Sequence, residues 1–246
     1  MTTSTAAAGF LPAGAARPAG LPTALTRGGA QAVFRATLDV LARPGTVKRL
    51  PSATEEPLAA HVPPALLPLL ALADLSTRVC VIGEETDPGA DGRTAWDEIV
   101  RVATNAPRAE LGDARLVAAL RPLGADELGR LRTGTAISPE DGALACLAVS
   151  RIAVVADASS DDQDTGNPVG DADADGGGDG ARLLRVSGPG VPGTRAITVA
   201  GLPAGFATAR QGLVAGFPAG ADLLLIAPDG AMTGLSRTTT VSEETF

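Results

Sequence analysis

The chain has 246 residues, 45% of them hydrophobic, and a formal net charge of −8 at pH 7. A chain of this size and composition can bury one sizeable core, which excludes a wholly unfolded protein. The negative charge is concentrated in residues 157–181, which contain eight Asp and no Lys or Arg. The rest of the chain has no net charge and shows no basic patch of the kind that nucleic acids require. We therefore expect a globular protein that does not bind nucleic acid.

The sequence also argues against a membrane span and against secretion. Its most apolar stretch, residues 63–73, is too short to cross a bilayer and contains Pro68. The N-terminal residues lack the basic start and the continuous apolar run of a signal peptide. Cys80 and Cys146 each lie within an apolar, strand-like run, which indicates two buried free thiols rather than a disulfide framework. These features predict a protein of the reducing cytoplasm, with no membrane association.

The first part of the chain predicts a tail followed by a helix. Residues 1–26 are rich in Ala, Gly, Pro and Thr without a period, which indicates a flexible N-terminal tail. Residues 28–43 carry apolar side chains at helical spacing, and the following Pro44-Gly45 ends the helix. The expected buried stripe of this helix consists of Ala30, Phe34, Leu38 and Leu41.

The middle of the chain alternates between strand and helix patterns. Residues 63–74 predict a second helix, in which Pro68 favours a kink or a later start. Residues 126–132 predict a short helix, and Trp96 is expected to begin a short turn. A first strand is predicted at residues 46–50, after Pro44-Gly45, and apolar runs predict strands at residues 78–83, 99–104, 114–120 and 143–152.

The last part of the chain predicts a β-hairpin. Residues 223–226 are an unbroken run of branched aliphatics, which is typical of a strand buried on both faces. Pro228-Asp229-Gly230 is a strong turn signal, and the chain returns over residues 231–237. Before this hairpin, strands are predicted at residues 183–187 and 196–199, and a helix at residues 205–216.

These patterns predict an α/β protein with a mixed β-sheet flanked by helices. We expect a single domain over residues 27–246, interrupted by an acidic disordered insert at residues 157–181. The insert combines like charges with many glycines, so it cannot bury enough apolar surface to become ordered.

Two motifs resemble ligand-binding sequences but are better explained as ordinary loops and turns. Gly188, Gly190 and Gly193 have GxGxxG spacing, but a strand-like run follows where a dinucleotide site needs a helix N-terminus. We interpret them as a turn between strands. Asp171 and its acidic neighbours imitate an EF-hand loop, but the twelfth position is Arg182 rather than the required Glu. We interpret them as a solvated loop.

The sequence offers little for conventional catalysis. Lys48 is the single Lys and lies early in the chain, so a pyridoxal phosphate Schiff base is not expected. His61 is the single His and both thiols look buried, so neither a metal-ligand cluster nor a nucleophile with its base is evident. We expect no cofactor and no metal.

Three loops rich in hydroxyl and amide side chains are the best candidates for a binding site. They supply polar donors, and Arg237 adds a cation suited to phosphate or carboxylate. The alternative is that these residues cap strand ends and that Arg237 is structural. The candidate binding residues are Thr104, Asn105, Thr133, Gly134, Thr135, Ser138, Arg237 and Thr238.

Several strings of the sequence resemble one protein family. FPxGxDLLL, a turn and a strand ending in SRTT occupy residues 217–239. FRATLDVLARPGTV begins at Phe34, TNAP begins at Thr104, and TGTAISPE begins at Thr133 before an apolar strand. These strings resemble PhnH, the H subunit of the bacterial carbon–phosphorus lyase complex for phosphonate degradation. The resemblance covers roughly residues 28–241 except the insert, where family members usually have a short connection.

The resemblance implies a fold like the large domain of pyridoxal-phosphate-dependent transferases, without the cofactor site. It implies an accessory subunit that acts with the G, I and L subunits in transferring the triphosphorylated ribose of ATP to an alkylphosphonate. The J subunit would then cleave the carbon–phosphorus bond. The implied partners are sibling subunits G, I and J, and the chain alone would be a homodimer. The alternative is a stand-alone small-molecule enzyme or a degenerate transferase.

Overall fold

The computed structural model describes residues 23–83, 95–155 and 180–244. The α-helices of these residues are α1 (Arg27–Ala42), α2 (Leu67–Leu72), α3 (Ala95–Thr104), α4 (Ala125–Gly129) and α5 (Phe206–Val214). The strands are β1 (Val47–Arg49), β2 (Val79–Ile82), β3 (Leu116–Ala119), β4 (Leu144–Ala148), β5 (Arg151–Val154), β6 (Arg182–Ser187), β7 (Thr194–Ala200), β8 (Asp222–Ile226), β9 (Ala231–Leu235) and β10 (Thr240–Glu244). Short 3-10 turns lie at Pro57–Ala60, Pro64–Leu66 and Pro139–Asp141. None of the described helices is long and apolar enough to span a membrane.

The central layer is a six-stranded mixed sheet in the order β1-β9-β8-β4-β3-β2. Strands β2, β3, β4 and β8 are parallel to one another. On one side of them, β9 pairs antiparallel with β8, and β1 pairs antiparallel with β9. After Asp222, strand β8 is apolar because both of its faces are covered. Leu223 and Leu225 belong to the core on one face, and Leu224 and Ile226 belong to the core on the other.

Each face of this sheet is covered by a different layer. An antiparallel four-stranded sheet, in the order β10-β6-β7-β5, packs with α4 and α5 on one face. Leu184, Ile197 and Phe206 are fully buried in that interface. Helices α1, α2 and α3 cover the other face, where Val33 and Leu66 are fully buried. The predicted class, a mixed α/β fold with a mixed sheet and flanking helices, is confirmed.

Helix α1 buries a stripe next to the predicted one. The buried residues are Gly29, Val33, Thr37 and Val40, whereas Phe34 and Leu38 are 44% and 50% exposed. The physical reason is the close approach of α1 to β9. A Cβ added at Gly234 of β9 would lie 2.6 Å from the carbonyl oxygen of Val40. This glycine therefore brings the Val40 face of the helix against the sheet, and the prediction of Phe34 and Leu38 as core residues is wrong.

The strand predicted at residues 99–104 is helix α3, and Trp96 lies within it rather than in a turn. Trp96, Ile99, Val100 and Ala103 follow helical spacing and all contact the core beneath α1 and α2. Asp97 and Glu98 lie in the first turn of α3, where carboxylates interact favourably with the helix dipole. The β-branched residues suggested a strand, but the spacing of the apolar residues determines the structure.

The strand predicted at residues 143–152 is two strands in different sheets. Strand β4 ends at Ala148, and β5 begins at Arg151 in the four-stranded sheet. Between them, the Val149 N–H donates to Ile226 and the Ser150 N–H donates to Ala200, at 2.9 and 2.8 Å. The backbone therefore passes from one sheet to the other without losing hydrogen bonds, which an apolar run in the sequence does not reveal.

The remaining elements agree with the sequence patterns. The second helix begins late, at Leu67, after a 3-10 turn, so Pro68 lies in its first turn and breaks no hydrogen bond. The final hairpin forms as predicted, with β8 and β9 paired antiparallel. Cys146 is buried, whereas Cys80 is only partly buried, and both are free. Most of the predicted tail and most of the predicted insert lie outside the described residues. Thr26, the last residue of the predicted tail, donates two hydrogen bonds to Glu56.

Candidate functional site

Most of the candidate residues lie near one edge of the central sheet. Parallel strands β2, β3, β4 and β8 all begin at this edge, and antiparallel β9 ends there. Open α/β sheets usually bind ligands at the opposite edge, where parallel strands end. The polar loops of this chain therefore do not form the usual α/β ligand crevice.

The loop from Thr133 to Gly142 uses its polar groups internally. The Ser138 N–H donates to the Thr135 hydroxyl at 3.0 Å, and the Thr135 N–H donates to the Ser138 carbonyl at 3.2 Å. Gly134 has a φ of 70°, and an added Cβ would lie 2.8 Å from backbone atoms of Gly142 and Ser138. The Thr133 carbonyl accepts from the Gly220 N–H at 2.7 Å. These four predicted residues therefore shape the loop and fix it beside the start of β8.

Arg237 forms an ion pair with the first residue of β8. Its Nη2 lies 2.6 Å from Oδ2 of Asp222, and its Nε also donates to that carboxylate. The Arg237 backbone N–H donates to Asp222 Oδ1 at 2.7 Å, and Nη1 donates to the Pro139 carbonyl. The two side chains are only 17% and 22% exposed. Arg237 thus joins β8, the end of β9 and the Pro139 turn, as the structural alternative expected.

Thr104 and Asn105 lie at the far end of the same edge. The Thr104 hydroxyl donates to the Val100 carbonyl and accepts from the Ala106 N–H, at 2.7 and 3.1 Å. Asn105 has a φ of 56° and closes the C-terminus of α3 in the left-handed conformation. The next residues pair with β2, which is three strands from β8, or about 15 Å. These two residues therefore end a helix and do not join Arg237 in one site.

A cleft of about 440 Å³ opens beside Arg237. It lies between α5, the turn before β10 and the β6–β7 turn. Two predicted residues, Arg237 and Thr238, contribute to it, and the other lining residues were not among the predicted ones. The lining residues are Pro189, Arg210, Gln211, Val214, Phe217, Arg237, Thr238, Thr239, Thr240 and Val241.

Arg210 is the unexpected residue of this cleft. Its side chain is 1% exposed, and Nη2 donates to the Ser236 carbonyl at 2.5 Å. Its Nε has no hydrogen-bond partner among the described residues. Burial lowers the pKa of Arg210 to about 10, and the nearby negative charge of Asp222 partly opposes this effect. Arg210 thus remains charged at neutral pH in a site that compensates its charge poorly.

One protein-family model matches most of the chain and assigns it to a family. The model for PhnH, described as a bacterial phosphonate metabolism protein, matches residues 24–242. The chain belongs to the PhnH family. This membership supports involvement in phosphonate metabolism and suggests a role in a complex of that metabolism. No curated protein matches the chain.

In this PhnH family member, no Lys, His, Cys, Asp or Glu of the described residues lines the cleft. Burial raises the pKa of Cys80 to about 11, and it raises the pKa of the fully buried Cys146 still further. Both thiols are therefore protonated at neutral pH and are poor nucleophiles. Lys48 lies on β1, 3.8 Å from Asp39, and is exposed. The cleft offers cations and hydroxyls, a chemistry that can bind an anion.

The GxGxxG match of the PhnH sequence is a turn. Gly188, Gly190 and Gly193 have φ values of 124°, 81° and 67° between antiparallel strands β6 and β7. No helix begins there, so the interpretation as a turn between strands is confirmed. The interpretation of Asp171 and its neighbours as a solvated loop lies outside the described residues.

A sequence signal for Arg210 does exist. On α5, Arg210 is spaced by four from Phe206 and by three from Leu213, and these three residues are the buried ones of the helix. An Arg within an apolar helical stripe is rare unless it has a partner. The prediction of a helix at residues 205–216 did not single out this charged residue.

Proposed function

We propose that the chain is an accessory subunit of the carbon–phosphorus lyase system. In this proposal it acts with the G, I and L subunits to transfer the triphosphorylated ribose of ATP to an alkylphosphonate. The observation that carries the proposal is the family match over residues 24–242, which includes all described helices and all strands except the last two residues of β10. The cleft supports it, because a site with two arginines and several hydroxyls can bind a phosphorus oxyanion.

The chemistry of the described side chains supports an accessory role. General acid–base catalysis needs a group whose pKa lies near the working pH, and nucleophilic catalysis needs an activated nucleophile. Arg237 is held by Asp222, and the two thiols have raised pKa values. We therefore propose that the chain alone turns over neither ATP nor phosphonates, and that activity requires the assembly. The alternative is a stand-alone small-molecule enzyme or a degenerate transferase of the pyridoxal-phosphate-dependent type, whose large domain the fold would resemble.

Sibling subunits are the proposed partners, with a homodimer when the chain is alone in a cytoplasmic setting. Two exposed apolar side chains support a protein partner near the candidate site. Ile137 is 94% exposed in the loop after Thr133, and Phe217 is 64% exposed in the segment before β8. The Gly220–Thr133 hydrogen bond joins these two segments. Large exposed apolar side chains on neighbouring loops are typical of interaction surfaces.

Complementation tests the proposed pathway. A strain that lacks this subunit should fail to grow on methylphosphonate as the only phosphorus source, and the full chain should restore growth. A tagged chain should co-purify with the G and I subunits, while an unrelated tagged protein of similar size should not. Normal growth of the deleted strain, or turnover of ATP and phosphonate by the purified chain alone, would contradict the proposal.

A further inference from the structure

Arg210 is a buried cation without an acidic partner. None of its nitrogens forms an ion pair with a described carboxylate, and its one hydrogen bond is to the Ser236 carbonyl. Burying a charge in this way is unfavourable unless another group compensates it. The Nε without a partner adds to that cost, because a buried donor loses its hydrogen bond to water. Among the described residues, the nearby charge of Asp222 opposes this cost only in part.

The neighbouring charges do not compensate Arg210. Asp222 is the acid whose charge reaches it, but that carboxylate is held by the guanidinium and the backbone N–H of Arg237. No acidic side chain of the described residues lines the cleft. With Asp222 and Arg237 neutralising each other, one positive charge remains. An anion in the cleft would balance it.

Further donors stand beside this charge. Each terminal nitrogen of a guanidinium carries two N–H groups, and Arg237 uses one from Nη1 and one from Nη2. Two donors of Arg237 therefore remain for a ligand. Thr238, whose hydroxyl shares a hydrogen bond with the Ser236 hydroxyl at 3.0 Å, also lines the cleft. Planar guanidinium donors with nearby hydroxyls match the oxygens of a tetrahedral oxyanion.

Part of the cleft wall is apolar. Pro189, Val214 and the 64% exposed Phe217 line it together with the arginines. Its volume of about 440 Å³ lies within the range of small-molecule sites. Inorganic phosphate would leave these apolar side chains in contact with water. An anion that carries an apolar substituent would cover them and gain from their burial.

We propose that this cleft binds an oxyanion of phosphorus that carries one small apolar substituent. The oxyanion lies toward Arg210 and Arg237, and the substituent contacts Val214 and Phe217. The choice of phosphorus among oxyanions rests on the proposed function, whereas the charge and the apolar wall are observed in the chain. An organophosphonate and a phosphate monoester share this chemistry, and the experiment separates them.

Calorimetric titration of the full chain tests this proposal. The probes are phenylphosphonate, methylphosphonate, phenyl phosphate and inorganic phosphate. Phenylphosphonate should bind at least about tenfold more tightly than inorganic phosphate, because it also buries apolar surface. A preference for phenylphosphonate over phenyl phosphate would assign the cleft to phosphonates, and equal binding would assign it to both classes. Equal affinity for phenylphosphonate and inorganic phosphate, or no binding, would overturn the proposal.

Two variants and one control locate the site. Arg210→Met should weaken phenylphosphonate binding at least about tenfold, because it removes the charge while keeping a side chain of similar length. Phe217→Ala changes an exposed side chain, so it should fold normally. It should weaken phenylphosphonate binding more than methylphosphonate binding, because the phenyl group has more apolar surface to cover. Arg35→Met removes the same charge from an exposed position on α1 and should bind like the parent chain.

The outcomes also separate this inference from the proposed function. Equal weakening by Arg35→Met and Arg210→Met would place the anion outside the cleft and overturn the inference. If Arg210→Met were folded and had lost phenylphosphonate binding, yet restored growth on methylphosphonate fully, the cleft would be a site that the pathway does not need. If the strain without the subunit grew normally, the proposed function would fail while the binding result would stand.

Discussion

The β8–β9 hairpin differs from the wall of the cleft in the kind of side chain that it buries. The wall consists of α5 and the turn at residues 236–239. In the hairpin, strands β8 and β9 are buried almost throughout, and both faces contact apolar cores. In the wall, a charged residue replaces an apolar one in the buried stripe of the helix. Arg210 there keeps an Nε without a partner. Each region contains one buried polar atom without a hydrogen-bond partner, the Thr233 hydroxyl in β9 and Arg210 Nε in the wall, but only the wall buries a charged side chain without an ion pair to a described residue.

The difference indicates where stability and binding lie in this fold. Residues that are held by packing alone contribute to the free energy of unfolding and have no remaining donors. A buried cation without an acid lowers stability, and natural proteins keep such groups mainly where function requires them. Arg237 lies between the two regions, because it pairs with the first residue of β8 and also lines the cleft.

The largest effect is expected in the hairpin. Leu224 is 0% exposed and lies at the centre of β8, between β4 and β9. Leu224→Ala should lower the free energy of unfolding by about 2–5 kcal/mol, through lost burial and the cavity that remains. Urea denaturation measures this change.

Leu38→Ala is the matched control for Leu224→Ala. Leu38 is 50% exposed on α1, so the same truncation should cost less than about 1 kcal/mol. Similar losses for the two variants would show that β8 does not carry more of the stability than an exposed helical surface does. The contrast between the hairpin and the rest of the molecule would then fail.

A smaller effect is expected at Arg237. Arg237→Ala leaves the Asp222 carboxylate partly buried without its cation and frees the Pro139 carbonyl. The loss in the free energy of unfolding should be about 1–3 kcal/mol. Adding Asp222→Asn should cost less in the variant than in the parent chain, because the unpaired charge is then removed. Chemical denaturation of the four chains of this cycle measures the coupling.

The pair of Arg49 and Asp229 is the control for Arg237. These side chains are 47% and 55% exposed, and their ion pair is 3.1 Å long. Arg49→Ala should change the free energy of unfolding by less than about 1 kcal/mol. If Arg237→Ala were equally mild, the ion pair between Arg237 and Asp222 would contribute little to stability, and the structural role of Arg237 would be contradicted.

The effect of Arg210→Met on stability should be smaller still, or of opposite sign. Met keeps the length of the side chain and removes a charge whose pKa is lowered to about 10 by burial. The hydrogen bond to Ser236 is lost, but the cost of burying the charge disappears. The free energy of unfolding should stay within about 1 kcal/mol of the parent value or rise. A loss above about 2 kcal/mol would make Arg210 a structural residue and would weaken the case for the cleft.

Strong local patterns predicted the fold well. Residues 223–226 and the Pro228-Asp229-Gly230 turn define the final hairpin because burial on both faces and turn chemistry leave few alternatives. The sequence failed where tertiary contacts decide. Gly234 selects the buried face of α1, and the change of sheet at Ser150 depends on Ala200, which is 50 residues away. The segment of helix α3 was wrongly predicted as a strand at residues 99–104, because its β-branched residues were given more weight than its helical spacing.

The site was harder to predict than the fold. Thr104 and Ser138 were predicted as binding residues because they lie in loops rich in hydroxyl and amide side chains. Their polar groups instead form hydrogen bonds within a helix end and a turn. Arg237 and Thr238 do line the cleft, although neither could be placed there without the turn that follows β9. Arg210 lies far from these loops in sequence, and only the packing of α5 brings it beside them. A charged residue in an apolar helical stripe was the available signal.

The smallest effect is expected on replacing residues 157–181 with a short link. The strands on either side, β5 and β6, both pair with β7, with Val154 opposite Ile197 and Arg182 opposite Val199. The ends to be joined are thus about 10 Å apart across the sheet and two residues apart along it. A Gly-Ser link of six residues reaches about 20 Å and is long enough to join them.

This replacement removes eight Asp and tests whether the acidic segment matters to either the hairpin or the cleft wall. Closing a shorter loop changes the free energy of unfolding by about 1 kcal/mol at most, so the melting temperature should shift by only about 2–4 °C. Binding of phenylphosphonate should be unchanged, because the cleft residues belong to other segments. The matched control is a chain in which the eight Asp become Asn at full length, which separates charge from length. Failure of the shortened chain to fold would show that the segment is part of the structure. Clear stabilisation of the intact chain by millimolar calcium would show that its acidic residues bind an ion.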